Sequence, residues 1–253
     1  GIFQPTSGSV RILNMDPFSD RQKVSYKIGT VFGQRSQLWY HLPAYNSFKL
    51  LAAIYEIDKT TFQLRLKYLS DLFQLDRFAN RAVKELSLGE RMRCELVASL
   101  LHNPEILFLD EPTIGLDIIS KGAIREFIQQ RAESESTTIF LTSHDIADIE
   151  KVCDRIILIN NGKINVDDSV KKIKQHYLQC KQITVRVKEK LDWKHHHAIH
   201  PIHETETMHK FEVNLKLIHP QDAVQYIAGN YRFTDITIED PPLEDIIKGI
   251  YQS

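Results

Sequence analysis

The sequence predicts an α/β fold, with a mostly parallel sheet covered by helices, followed by a small α+β domain. Short apolar runs at residues 27–32, 106–109 and 137–142 alternate with segments of helical period, as in sheets built from strand and helix units. From residue 181 onward, strands of alternating polarity replace that pattern. This change indicates a second, smaller unit.

The composition of the 253-residue chain is that of an ordinary globular protein, with 42% apolar and 26% charged residues. Its formal net charge of -1 lacks the basic excess of nucleic-acid-binding domains, so we expect no nucleic-acid partner. Three scattered cysteines indicate reduced thiols rather than a disulfide framework. No apolar run reaches the roughly 18 residues of a transmembrane helix.

A helical block of about residues 43–103 is inserted after the first strand, because the apolar period there changes to helical. Its last helix is predicted over residues 87–101. Ser87 and Glu90 have the spacing of a capping box at the start of that helix.

The remaining elements alternate strand and helix before the smaller unit begins. Helices are predicted over residues 120–132 and 146–153, and a hairpin turns at Asn161 and Gly162. We therefore predict a first domain at residues 1–168, a connector at 169–180 and an accessory α+β domain at 181–253. The accessory domain is predicted to contain strands at residues 183–187, 210–217 and 232–239 and helices at 221–228 and 241–251.

Two adjacent acids, Asp110 and Glu111, follow the apolar strand at residues 106–109, and Pro112 stops it. Paired carboxylates at the end of a buried strand suit a Mg²⁺-bound triphosphate. One of them can hold the metal shell while its neighbour activates the attacking water.

Four motifs in this order resemble those of ATP-binding cassette (ABC) ATPases. The signature, Walker B, D-loop and H-loop of that family are similar to LSLGE at residues 86–90, LFLDEPT at 107–113, GLD at 115–117 and TSHD at 142–145. Residues 31–39 and 239–247 further resemble bacterial cassettes that serve ABC-2 type exporters. The resemblance implies a P-loop NTPase-like ABC ATPase core over residues 1–168.

The resemblance also implies roles for individual residues. Asp110 would hold Mg²⁺ through its water shell, Glu111 would be the catalytic base, and His144 would contact the γ-phosphate. Gln34 stands at the position of the Q-loop glutamine, near Mg²⁺ and the transporter, with Gln37 as the alternative.

The remaining roles concern the ATP that a partner subunit holds. Ser87, Gly89 and Glu90 would form the signature that meets it, and Asp117 would bridge to that subunit. A serine hydroxyl and a glycine amide at a helix N-terminus make an anion site. The family pattern is Leu-Ser-Gly-Gly-Gln, from which Leu88 and Glu90 depart. We expect Glu90 to weaken the binding of that ATP through its negative charge.

The implied cofactors are ATP and Mg²⁺, and the implied function is coupling of ATP hydrolysis to export. The implied partners are transmembrane permease subunits and a second ABC ATPase subunit, giving a homodimer on the cytoplasmic face of the inner membrane. Two alternatives are a soluble ABC ATPase of translation or DNA repair, and an inactive remnant that cannot bind ATP alone.

Six histidines at residues 195–209 are a candidate site of another kind. A transition metal is one interpretation, but no acid or cysteine is spaced to complete a tetrahedral site, so we expect a solvated loop.

A phosphate-gripping Gly-x-x-x-x-Gly-Lys-Ser/Thr run does not occur in the sequence. Residues 1–8 resemble the segment just downstream of that motif's helix, so we expect the P-loop and the first strands upstream of Gly1.

We therefore predict that the 253-residue chain alone shows no appreciable binding of a fluorescent ATP analogue, measured by fluorescence anisotropy, because the loop that grips the β- and γ-phosphates is missing. Micromolar affinity would contradict this expectation. Competition by unlabelled ATP is the control for specific binding.

Overall fold

The structure is a computed structural model that describes residues 3–33, 35–133, 137–177, 180–188 and 193–252. The chain divides into two compact units, Gly1–Val152 and Cys153–Ser253. The second unit begins before the boundary predicted at residue 168, and it includes the hairpin. The predicted division into first domain, connector and accessory domain remains a prediction.

The first unit alternates helices and strands as predicted, with a helical block after the first strand. Its elements are α1 (Arg21–Ser25), β1 (Ile28–Phe32), α2 (Ala44–Ile54), α3 (Lys59–Phe73), α4 (Leu88–Leu100), β2 (Ile106–Asp110), α5 (Ile118–Glu133), β3 (Thr138–Thr142) and α6 (Ile146–Val152). Two short 3₁₀ turns, Leu75–Arg77 and Val83–Glu85, lie between α3 and α4.

The strands β1, β2 and β3 form a parallel sheet with β2 in the centre. Their register places Phe32, Asp110 and Thr142 side by side at the carboxyl ends of the strands. Leu107 and Leu109 of β2 are buried in the main core cluster, which includes side chains of α4 and α5. The register therefore places Asp110 at the carboxyl edge of the sheet. The predicted α/β class with an inserted helical block is confirmed.

The helix α4 begins with the predicted capping box. The Ser87 hydroxyl oxygen accepts a hydrogen bond from the Glu90 amide at 3.2 Å, and the Glu90 carboxylate accepts one from the Ser87 amide at 2.8 Å. Two of the free amides at this helix end are therefore satisfied by side chains.

The second unit begins with the predicted hairpin and continues into a sheet. Its elements are β4 (Arg155–Asn160), β5 (Lys163–Ser169), α7 (Val170–Tyr177), β6 (Cys180–Arg186), β7 (Ile199–Glu204), β8 (Met208–Asn214), α8 (Pro220–Asn230), β9 (Asp235–Glu239) and α9 (Leu243–Gln252). Asn161 and Gly162 at the hairpin turn both have positive φ, as an Asn-Gly turn requires.

The four strands β6 to β9 pair antiparallel in the order β7, β8, β6, β9. One face of this sheet is buried: Phe211 and Val213 of β8 are fully buried and pack in one cluster with Ala223 and Ile227 of α8. The predicted α+β character of this region is confirmed.

Among the described helices, none is long and apolar enough to cross a membrane.

The prediction of a loop around the histidines is wrong in part, because His200 and His203 lie in the strand β7. His200 pairs with Glu212 and His203 with Lys210 across the sheet, and a register shift follows Pro201. The shift interrupts the alternation by which a strand is recognised. Among the described residues, no group of three or more His, Cys, Asp or Glu side chains is placed to hold a metal ion.

The capping box gives a direct test of how α4 is stabilised. Ser87→Ala should lower the free energy of local unfolding of α4 by about 1 kcal/mol, because one amide loses its acceptor. Hydrogen exchange of the α4 amides should then be about fivefold faster. Ser87→Thr keeps the acceptor and should retain most of the protection, and equal rates in Ser87→Ala and the wild type would contradict the capping role.

Candidate functional site

The paired acids lie at the carboxyl edge of the parallel sheet, where Asp110 ends β2 and Glu111 follows it. Glu111 has φ of 50°, in the left-handed region, so the chain turns sharply there. The Gly33 amide donates a 2.8 Å hydrogen bond to the Asp110 carbonyl oxygen. A Cβ on Gly33 would lie 2.8 Å from the carbonyl oxygens of both acids. Only glycine fits this approach, and the segment after β1 therefore lies directly against the acid pair.

The Asp110 carboxylate is oriented by Thr142, the last residue of β3. The Thr142 hydroxyl donates to Oδ1 of Asp110 at 2.6 Å. The Glu111 amide also donates to the Thr142 carbonyl oxygen at 3.1 Å. Thr142 belongs to the TSHD motif, but its role was missed in the sequence, because the hydrogen bond depends on the register of β2 and β3.

Glu111 and His144, the two candidate catalytic residues, are in contact through their side chains. Nδ1 of His144 lies 2.9 Å from Oε2 of Glu111. The Glu111 side chain is 28% exposed and the His144 side chain 70% exposed, so the imidazole is open to a ligand. The contact joins the two residues predicted to be catalytic, and it gives the carboxylate a fixed direction.

A buried carboxylate, Asp148, braces the segments on both sides of this pair. It is 2% exposed and accepts a 2.6 Å hydrogen bond from the Thr113 hydroxyl. Arg125 of α5 also pairs with Asp148. The sequence analysis missed this residue, for which the only available signal was its position three residues after Asp145.

Asp145, the last residue of the TSHD motif, is held by Lys121 of α5. The ammonium of Lys121 lies 3.0 Å from Oδ2 of Asp145. This hydrogen bond lowers the pKa of Asp145, against the opposing effect of its partial burial. The segment that carries His144 is therefore tied to α5.

The signature segment forms a second group of residues at the start of α4. Besides its bond to the Ser87 amide, the Glu90 carboxylate pairs with Arg81. Burial opposes ionisation of Glu90, but the Ser87 amide and Arg81 outweigh it, and its pKa lies below the ordinary value. The charge predicted to weaken ATP binding is thus paired within the chain. The Leu88 side chain is partly buried and packs on the core.

Gly89 and Asp117 meet through Ser120 of α5. A Cβ on Gly89 would collide with the Ser120 hydroxyl oxygen, so a larger residue would force the Ser120 side chain to move. The Ser120 hydroxyl donates to Oδ2 of Asp117 at 2.7 Å, and the amides of Ile119 and Ser120 donate to Oδ1 at 3.0 Å. These bonds, the Ser120 amide first, lower the pKa of Asp117. Asp117 therefore caps α5 beside the signature glycine.

The predicted site residues thus fall into two described groups. Asp110, Glu111 and His144 meet at the sheet edge, whereas Ser87, Gly89, Glu90 and Asp117 surround the starts of α4 and α5. Gln34 lies outside the described residues. Its alternative, Gln37, directs its amide to the carbonyl oxygens of Thr30 and Glu95, each at 3.3 Å.

Comparison with known proteins matches residues 1–114 to the ABC transporter family. The chain is 31% identical over 163 residues to the ABC transporter ATP-binding protein NatA of Bacillus subtilis, covering 64% of this chain and 66% of that protein. It is 30% identical to the bacitracin transport ATP-binding protein BcrA of Bacillus licheniformis, covering 71% of this chain and 58% of that protein. The chain thus spans less than two thirds of the length of either relative.

A solved structure is similar in fold as well as in sequence. The ATP-binding cassette MJ0796, in a dimeric post-hydrolysis state bound to ADP and Pi, matches with a TM-score of 0.59 and 27% identity. The match covers 67% of this chain and 76% of that one. The parallel sheet, the motifs it positions and these relatives together support an ABC transporter ATPase subunit, and residues 1–114 match the ABC transporter family.

Proposed function

We propose that this chain is the ATP-binding subunit of an ABC-type export system and couples ATP hydrolysis to transport through separate membrane subunits. The observation that carries the proposal is the 2.9 Å contact between Glu111 and His144, immediately after Asp110. A paired base and imidazole beside a second carboxylate are groups that suit hydrolysis of a Mg²⁺-bound triphosphate. Export is inferred from the resemblance of residues 31–39 and 239–247 to ABC-2 cassettes.

The residues at the sheet edge fit Mg²⁺. This ion prefers hard oxygen ligands and is usually bound by one or two carboxylates together with substrate phosphates. Asp110 supplies such a carboxylate, and the Thr142 hydroxyl fixes its orientation. When bound, Mg²⁺ and ATP would supply the polarised γ-phosphate. Gln34, as the Q-loop glutamine, is proposed to approach the same metal.

The hydrolytic step is assigned to the chain's own side chains. Glu111 accepts the proton of the attacking water, and His144 holds the Glu111 carboxylate in place. Only Nδ1 of His144 contacts Glu111, so Nε2 is left to donate to a phosphate oxygen, which requires that both ring nitrogens carry a proton. Glu111 would thus act on the water, and His144 on the phosphate.

The second group is proposed to serve the ATP of a second ABC ATPase subunit. Ser87 and Gly89 lie at the N-terminus of α4, where the helix dipole favours anions. Arg81 neutralises Glu90 locally, so the departure from the Leu-Ser-Gly-Gly-Gln pattern leaves less net negative charge. Asp117 is proposed to bridge to the second subunit. The dimeric form of the related cassette MJ0796 supports such a pairing.

The test of this function is to isolate the tagged chain from the detergent-solubilised membranes of its native host. We expect a transmembrane permease to co-purify with it. Co-purification with ribosomes or DNA instead would favour a soluble cassette ATPase of translation or repair and would contradict the export function.

In a purified complex that also supplies a P-loop, Glu111→Gln should lower the ATP turnover by at least about 100-fold, since the amide cannot accept the water proton. A phosphate-release assay measures this change. Glu105→Gln is the matched control, because Glu105 precedes β2 and its side chain forms an exposed ion pair with Lys27. If Glu111→Gln retained the turnover of the control, the hydrolytic role of Glu111 would be wrong, whereas a control without turnover would favour an inactive remnant.

Thr142→Val should raise the Mg²⁺ concentration for half-maximal ATP turnover by about tenfold, because the isosteric valine leaves Asp110 without its orienting hydroxyl. A Mg²⁺ titration of the same complex measures the shift. Thr138→Val, at the exposed start of β3, should leave the midpoint unchanged. Equal midpoints for both variants would show that Thr142 does not position Asp110.

A further inference from the structure

Glu95 is a buried carboxylate in the middle of α4 that the mechanism above does not use. It is 3% exposed, although an acid is rarely buried without partners that stabilise it. Burial raises its pKa, while hydrogen bonds from Ser36 and Gln37 and the charge of Arg91 oppose that effect. Such a residue needs a structural reason for its position.

The hydrogen bonds to the Glu95 side chain come from the segment that follows β1. The Ser36 hydroxyl donates to Oε1 of Glu95, and the Gln37 amide donates to Oε2 at 3.3 Å. The Gln37 side chain returns a 3.3 Å bond to the Glu95 carbonyl oxygen, and the Leu38 amide donates to the Ser36 hydroxyl at 3.1 Å. These bonds form a polar latch between Ser36, Gln37 and Glu95.

The latch joins the two groups of the candidate site. The segment after β1 begins at Gly33, whose amide is bonded to Asp110 and whose Cα lies against Glu111. The helix that carries Glu95 begins at Ser87. A displacement at the acid pair therefore has a short covalent and hydrogen-bonded route, through Gly33 and the latch, to the signature helix.

We propose that Glu95 is a positioning residue that holds the segment Ser36 and Gln37 on α4, so that the acid-pair edge and the signature helix move together. The role of this coupled movement in an ATP-driven cycle rests on the proposed function. The latch itself can be tested on the chain without hydrolysis.

The first experiment measures hydrogen exchange of the Gln37 and Leu38 amides by NMR on the full chain without nucleotide. Glu95→Ala should accelerate both by about tenfold, since the acceptor of Gln37 and the anchor of Ser36 are lost. Glu95→Gln keeps an acceptor oxygen and should recover most of the protection. Ser99→Ala is the matched control, because it removes a buried hydrogen bond from the same helix that does not reach the segment after β1.

A variant in the segment after β1 tests the same hydrogen bond without changing α4, in case Glu95→Ala disturbs that helix. Ser36 is exposed, so Ser36→Ala leaves the core intact and should also accelerate exchange at Gln37 and Leu38. Unchanged exchange in both Glu95→Ala and Ser36→Ala, or equal acceleration in Ser99→Ala, would overturn the latch.

The second experiment tests the coupling and not only the local bonds. Gly33→Ala displaces the segment at the acid pair, because its Cβ meets the two carbonyl oxygens. The amide chemical shifts of Leu96 and Val97 in α4 should change, and in a Glu95→Ala background these changes should fall by at least about half, since the two hydrogen bonds that carry them are lost. Changes of the same size in both backgrounds would overturn the coupling.

These outcomes separate the latch from the function. A chain that shows the latch but associates with no permease contradicts the proposed function and leaves the latch intact. A chain that hydrolyses ATP with its permease but shows neither effect contradicts the latch alone.

Discussion

The candidate site depends on the common level at which three parallel strands end. Because Phe32, Asp110 and Thr142 share one register, the residues that follow the three strands lie at the same edge of the sheet. Hydrogen bonds from Gly33 to Asp110 and from Glu111 to Thr142 then extend the pairing past the strand ends. This pairing fixes the backbone from which both carboxylates extend.

The starts of α4 and α5 are organised by a second constraint, which is close packing. Gly89 lets the Ser120 hydroxyl approach the backbone of α4, and Ser120 in turn holds Asp117. The signature glycine Gly89 and Asp117 are therefore packed together through Ser120. Its polar groups are preorganised by caps, which lowers the cost of ordering them on binding.

Local signals predicted much of the fold. The strands β2 and β3, the capping box of Ser87 and Glu90 and the Asn-Gly hairpin depend on neighbouring residues, so their patterns are visible in the sequence. The strand β7 was missed, because its pairing with β8 shifts register after Pro201 and most of its side chains are exposed. A strand at the edge of a sheet with a bulge lacks the alternation that identifies a strand.

By itself, the sequence determined the α/β class, the position of the acid pair and the likeness of the chain to the ABC transporter ATP-binding family. Motifs and apolar periods are local features of the chain. Tertiary structure alone decided that Thr142 orients Asp110, that Arg81 neutralises Glu90 and that Glu95 receives Ser36. Ser36 and Glu95 are 59 residues apart, and Thr142 and Asp110 are 32 apart. Such contacts form only when strands take their register and helices pack, which no local pattern encodes.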